Sequence, residues 1–149
     1  RTCPDRTPIR IIMRPAGDIN TILLKAVSPQ LDTAIGAAEK RPGMLFTLTD
    51  QETLEHLEKV PGALGATSLS EVLSRANLLK ALVLDGIEPT PQALTDGTYP
   101  VGFSFLMVVR TPPAPLVESF AAFVLSERGQ KILAETGHAP PDLKPSRQP

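Results

Sequence analysis

From residue 9 onward, short apolar runs ending in turn residues alternate with capped helical segments, and this alternation constrains the fold more than any other property of the chain. "IRIIMR", 9–14, is Ile-rich and too short for a helix, so it reads as a strand. "DINTILLKAV", 18–27, reads as a helix with Asp18 at its N-cap. Ser28-Pro29 opens a second helix to about Lys40, because Ser caps and Pro suits the first helical position; Leu31, Ile35 and Ala38 fall on its inward face. "MLFTLT", 44–49, is strand-like, and "TDQE", 49–52, is a capping-box sequence for a helix to about Val60. "PGALGA" supplies a turn and a short buried strand, and "SLSE", 68–71, opens another capped helix.

The second half continues the alternation. "LLKALVL", 78–84, reads as a strand closed by Asp85-Gly86, and Thr90-Pro91 starts a short helix over 91–95. "YPVGFSFLMVVR", 99–110, is the longest strand-like run, apolar or small on both faces, as in a strand covered on both sides. Pro112, Pro113 and Pro115 break the chain ahead of a helix carrying Leu116, Phe120 and Phe123, and Ser126 caps a last helix that stops at Gly137. The pattern implies an α/β fold with a mixed, mostly parallel sheet covered by helices on both faces. Its expected strands are 9–14, 44–48, 63–66, 79–84 and 101–109. One lobe is expected over 1–140, followed by a Pro-rich tail, 141–149.

Composition excludes several classes of function. A formal charge of −1 provides no basic field for nucleic acid, and six aromatics with no Trp make no base-stacking platform. No apolar run approaches the roughly 20 residues that span a bilayer. Cys3 is the single cysteine, and His56 and His138 lie in unrelated segments, so no disulfide, metal site, cofactor site or Cys–His pair is predicted. No nucleophile, base and oxyanion hole come together in the pattern, so no enzyme is read. The chain begins at Arg1 rather than Met, which implies processing or derivation from something longer.

The stretch "RPAGDINTILLKA", 14–26, carries the chemistry. An arginine closing a strand and leading into a helix N-terminus is a good geometry for an oxyanion, since backbone N–H groups, the helix dipole and a bidentate fork converge. Asp18 opposes that use. Two like unit charges about 4 Å apart repel by roughly 4 kcal/mol at an effective dielectric near 20. Asp at this position is instead a good N-cap and a partner for Arg14 across four residues, so the two side chains are expected to pair. Capping likewise explains Thr49 and Glu52 without a ligand, and it explains Ser68, for which ligand contact is the alternative.

Three blocks, "VPGALGATSLSEV" (60–72), "LKALVLDGIEPTPQALTDGTYP" (79–100) and "FAAFVLSERGQKILAETGHAP" (120–140), resemble in order and spacing the second lobe of phosphate-type substrate-binding proteins of bacterial ABC transporters. The resemblance runs from about Ile9 to Pro140 and implies one lobe of a type II periplasmic binding protein. That family's oxyanion turn is similar to Arg, three residues, then Ser-Gly-Thr. This register puts its Arg on Arg14, its Ser on Asp18, its Gly on Ile19 and its Thr on Asn20, so only Arg14 is kept. The aromatic that follows the Gly65 turn in the family is Ala66 here. The resemblance implies Arg14, Gly17, Asp18, Ile19, Asn20, Thr21, Thr67 and Ser68 as ligand-binding residues.

It also implies non-catalytic capture of a small anion such as phosphate, in the periplasm or outside the cell at its envelope. Its implied partners are transporter membrane subunits and a first lobe, with a homodimer as a further arrangement. The alternative is a binding-protein fold that has become a protein-interaction or sensory module without solute; Asp18 and Ile19 favour it, Arg14 and the block order favour the receptor. In the family the segment after "YP" returns toward the first lobe. Here it is expected to fold back onto 9–84, or else to be exchanged between two chains, because leaving its apolar side chains in water costs about 1.5–3 kcal/mol each.

Overall fold

The computed structural model describes residues 7–75 and 78–140. Among these, three strands and seven helices form. β1 (Arg10–Met13) is the centre of a three-stranded sheet in the order β2-β1-β3. It pairs in parallel with β2 (Leu45–Phe46) through Ile12↔Leu45 and Met13↔Phe46, and with β3 (Ala63–Leu64) through Arg10↔Ala63 and Ile11↔Leu64. Helices α1 (Ile19–Val27) and α2 (Pro29–Glu39) connect β1 to β2, and α3 (Asp50–Lys59) carries the chain back past β1 to β3. These two crossovers run in opposite directions. Right-handed connections therefore place α1–α2 and α3 on opposite faces of the sheet. The chain is the α/β lobe its sequence implied, with every strand pairing parallel.

Local chemistry sets the helix starts as read. Asp18, Ser28, Thr49, Ser68, Thr90 and Ser126 each accept a backbone N–H with the side chain, relieving an orphan donor of the first turn. Around α4 (Leu69–Ser74) the box is reciprocal, Ser68 and Glu71 each bonding the other's backbone. At α3 it is displaced by one residue: Thr49 accepts from Glu52 N, while the Glu52 carboxylate accepts from Leu48 N at 2.7 Å. α1 and α2 pack as a pair tied by Lys25 Nζ and Glu39 Oε1 at 2.9 Å. The buried apolar core is small, Ile12, Met13, Ala38 and Leu54.

Two expected strands are absent. Over 79–84 the backbone forms no ladder beyond a single antiparallel bridge, Leu84↔Ile87. Asp85 (φ +50°) and Gly86 (φ +85°) make the two-residue turn that brings those residues together, but the arms do not continue. The run 101–109, despite its alternation, is extended chain with no strand alongside it among the described residues, and a strand exists only where a second backbone satisfies its N–H and C=O groups. α5 (Pro91–Thr95) packs Leu94 against Gly102 at the start of that run.

The expected fold-back is also corrected. α6 (Pro115–Leu125) packs on α7 (Glu127–Glu135), and α7 reaches the first half where Gly137 lies against Leu69 and Leu73 of α4. Phe105, Leu106, Val108, Leu116 and Phe120 stay exposed, at 60% or more of their surface. The α6–α7 corner is closed by Gly129, where a Cβ would crowd the Phe123 carbonyl oxygen.

Candidate solute site at Arg14

In a sheet of this order the first connection leaves β1 toward β2 and the next crosses back to β3, so the direction reverses beside the central strand, and the crevice beyond the carboxyl ends there is where ligands bind in open α/β folds. Arg14 is the first residue beyond β1 and stands in that crevice, 8% exposed. Its own carbonyl accepts from Thr21 Oγ1 at 3.0 Å, which ties the first turn of α1 to the strand end. All three nitrogens of its guanidinium have partners. Nε and Nη2 donate to Asp18 Oδ2 at 3.0 and 2.6 Å, Nη1 donates to Thr53 Oγ1 at 3.3 Å, and Nη2 lies 3.4 Å from Asp50 Oδ1. The expected Arg14–Asp18 pair is therefore direct.

Asp18 does two jobs with two oxygens. While Oδ2 holds the fork, Oδ1 accepts the Asn20 backbone N–H at 2.9 Å and caps α1. Burial opposes its ionisation, but the hydrogen bonds from Arg14 and from the Asn20 backbone outweigh it and hold the carboxyl below the usual carboxylate range. The same hydrogen bond from Arg14 to Asp18 raises the guanidinium above its ordinary value against the opposing effect of burial, with further attraction from Asp18, Asp50 and Glu71.

Beneath the guanidinium lies a layer of threonines. Thr47 and Thr53 are fully buried with their hydroxyls 2.7 Å apart, Thr53 Oγ1 donates to Thr49 O at 3.0 Å, and Thr47 N donates to Met13 O at 2.9 Å. This layer links the ends of β1 and β2 to the start of α3, fixing Arg14 from below.

The structure brings Arg14, Asp18, Asn20 and Thr21 together. Gly17 sits on the exposed turn closed by Asp18 N and Pro15 O, with open space where a Cβ would go, and Ile19 is 43% exposed. Thr67 and Ser68 stand at the start of α4, but both hydroxyls are committed to Glu71, which also accepts the Ser68 N–H at 3.2 Å. They meet Arg14 only through the field of that carboxylate. Thr47, Asp50, Thr53 and Glu71 were not among the expected ligand residues. Their signal was position: Thr47 directly follows β2, and Asp50, Thr53 and Glu71 lie in the first turns of the helices that follow β2 and β3, but that becomes visible only once the strand order is known.

One carboxylate, Asp18, thus takes both the guanidinium fork and the helix N-terminal N–H. No group of three His, Cys, Asp or Glu is placed to hold a metal ion among the described residues. A cleft of about 400 Å³ lined by Arg110, Pro112, Pro113, Ala114 and Val117 shares no residue with this crevice.

Two solved structures match the fold. One, from Clostridium perfringens, was assigned as a phosphate ABC transporter substrate-binding protein and carries bound phosphate; it is 24% identical with a TM-score of 0.67, covering 91% of this chain and 53% of that one. The other, a phosphate-binding protein of a phosphate ABC transporter from Streptococcus pneumoniae, is 22% identical with a TM-score of 0.52, covering 88% and 51% respectively. The chain thus spans about half the length of each, and at these identities the likeness is one of fold. No curated protein matches the chain. A family model described as a PBP superfamily domain matches residues 3–128, and the chain belongs to that family, the periplasmic-binding-protein fold.

Proposed function

We propose that this chain is one lobe of a solute-binding receptor serving an ABC importer, and that its crevice at Arg14 takes a small oxyanion such as phosphate without catalysing a reaction. One observation carries the reading: a nearly buried guanidinium stands at the carboxyl end of the central parallel strand, beside the N-terminus of α1. The phosphate bound in the Clostridium perfringens relative supports the choice of solute class. The residues that hold the solute in this reading are Arg14, the Asn20 and Thr21 region of α1, and Thr67 and Ser68 once Glu71 yields them.

A cleft needs a second wall. The exposed apolar side chains of 103–125 support a second lobe as the partner that covers them, with transporter membrane subunits beyond it. The place of action is the periplasm or the cell exterior. No helix among the described residues is long and apolar enough to cross a membrane.

Calorimetry with phosphate and with sulfate tests the reading. Binding of either anion that is abolished in Arg14→Gln supports it. Heat from neither, in the chain alone and joined to a second lobe, overturns it in favour of an interaction or sensory module. Sedimentation over a range of concentrations separates the partners: a concentration-dependent dimer assigns the apolar face to a second copy instead of a second lobe.

A further inference from the structure

We infer that Asp18 is a tethered competitor for the solute: in the free protein its carboxylate occupies the Arg14 fork, and an oxyanion binds only in the fraction of molecules from which Asp18 has withdrawn. This rests on the receptor reading above and adds the residue that sets its affinity. An N-cap needs one acceptor oxygen, and a hydroxyl provides it. Asp18 supplies two, and the second takes both Nε and Nη2 of the guanidinium. One carboxylate therefore uses the two kinds of donor, fork and helix N–H, that an incoming oxyanion would use. The pair is inside the lobe, with side chains 9% and 15% exposed, so solvent does not dilute the contest.

The groups facing Arg14 from the other elements add to the effect. Asp50 at the start of α3 lies 3.4 Å from Nη2, and Glu71 on α4 acts on the guanidinium through its charge. An arriving anion meets one cation already surrounded by carboxylates. With binding confined to the open fraction, apparent affinity falls by that fraction. The attraction between Asp18 and Arg14 that must be broken, of the size of two unit charges about 4 Å apart at an effective dielectric near 20, accounts for up to about a thousandfold.

Sulfate, which stays a dianion throughout the neutral range, is the probe. Its affinity is measured by calorimetry for the wild type, for Asp18→Asn, which keeps a good N-cap and loses the charge, and for Asp18→Ser, which keeps a capping hydroxyl. The expected result is a gain of about 10- to 1,000-fold in both variants. Arg14→Gln, placed in the Asp18→Asn background, should cancel that gain. A second readout follows the Arg14 Nε–H resonance, which should move on adding sulfate at lower concentration in the variants than in the wild type. Variants that bind sulfate with wild-type affinity overturn the competitor and leave the receptor reading standing. Tighter binding that leaves the Arg14 resonance unmoved also overturns it, because the anion is then elsewhere. No sulfate or phosphate binding by any form removes the receptor reading and this inference with it.

Discussion

Thr53→Val removes one hydroxyl from the layer beneath Arg14 and nearly conserves shape. Thr53 is 1% exposed, and its Oγ1 accepts from Arg14 Nη1, contacts Thr47 Oγ1 and donates to Thr49 O. The three losses are unequal. Thr49 O keeps the Thr53 backbone N–H at 3.0 Å, and the Thr47 hydroxyl can turn to Met13 O at 3.4 Å. Arg14 Nη1 alone loses a partner with no replacement. A hydrogen bond from a charged donor contributes about 1.5–3 kcal/mol, and the added methyl returns up to about 0.8 kcal/mol. The net expectation is a loss of about 1–2 kcal/mol, or about 2–8 °C in Tm for a chain of this length. Urea unfolding followed by circular dichroism should show a lower midpoint with an unchanged slope. A double-mutant cycle with Arg14→Gln then isolates the bond. A Thr53→Val variant as stable as the wild type, or a cycle with no coupling, would refute the claim that this hydroxyl supports the guanidinium.

Asp18→Asn should lower stability at pH 7 by about 1–3 kcal/mol through the lost charged hydrogen bonds. Because the folded carboxyl is held below its usual range, the stability it confers is complete above the unfolded value of about 3.9 and is lost as pH falls through the folded value. The difference between wild type and variant should therefore narrow in acid melts as pH falls below the unfolded value, and a gap that stays constant would reject the linkage. Gly129→Ala puts a methyl 2.2 Å from Phe123 O and 2.7 Å from Val124 O, so the α6–α7 corner must open at a cost of about 1–3 kcal/mol; faster proteolysis near 125–128 reads it, and an unchanged rate counts against the corner. Phe120→Glu alters a side chain 60% exposed, so stability should hold within about 0.5 kcal/mol while binding of an apolar dye falls; undiminished dye binding would mean that this surface is covered.

What the sequence disclosed was local. Asp18, Ser28, Ser68, Thr90 and Ser126 announced their helices because a cap acts over three residues of chain. The Arg14–Asp18 pair was legible for the same reason, being four residues apart across one turn. Asp50, Thr53 and Glu71 reach Arg14 only because parallel crossovers bring three strand ends side by side, and no spacing in the chain encodes that meeting. The run 101–109 shows the converse failure. Its alternation is what a buried strand needs, yet pairing requires a neighbouring edge, and among the described residues the sheet comprises β2, β1 and β3 alone.

The two buried threonines also bear on how the site can respond. Their hydroxyl protons can be arranged in two ways. In one, Thr53 donates to Thr49 O and accepts from Thr47; in the other, Thr53 donates to Thr47, whose proton source then serves Met13 O. Either way a Thr53 lone pair remains for Arg14. The guanidinium is thus anchored whichever rotor state holds, and nothing beneath it has to rearrange when Asp18 leaves. Exchange at the fork is then confined to the Asp18 side chain and the cap it gives to α1. In the receptor reading proposed above, the arginine is the fixed point of the site and the aspartate its one movable part.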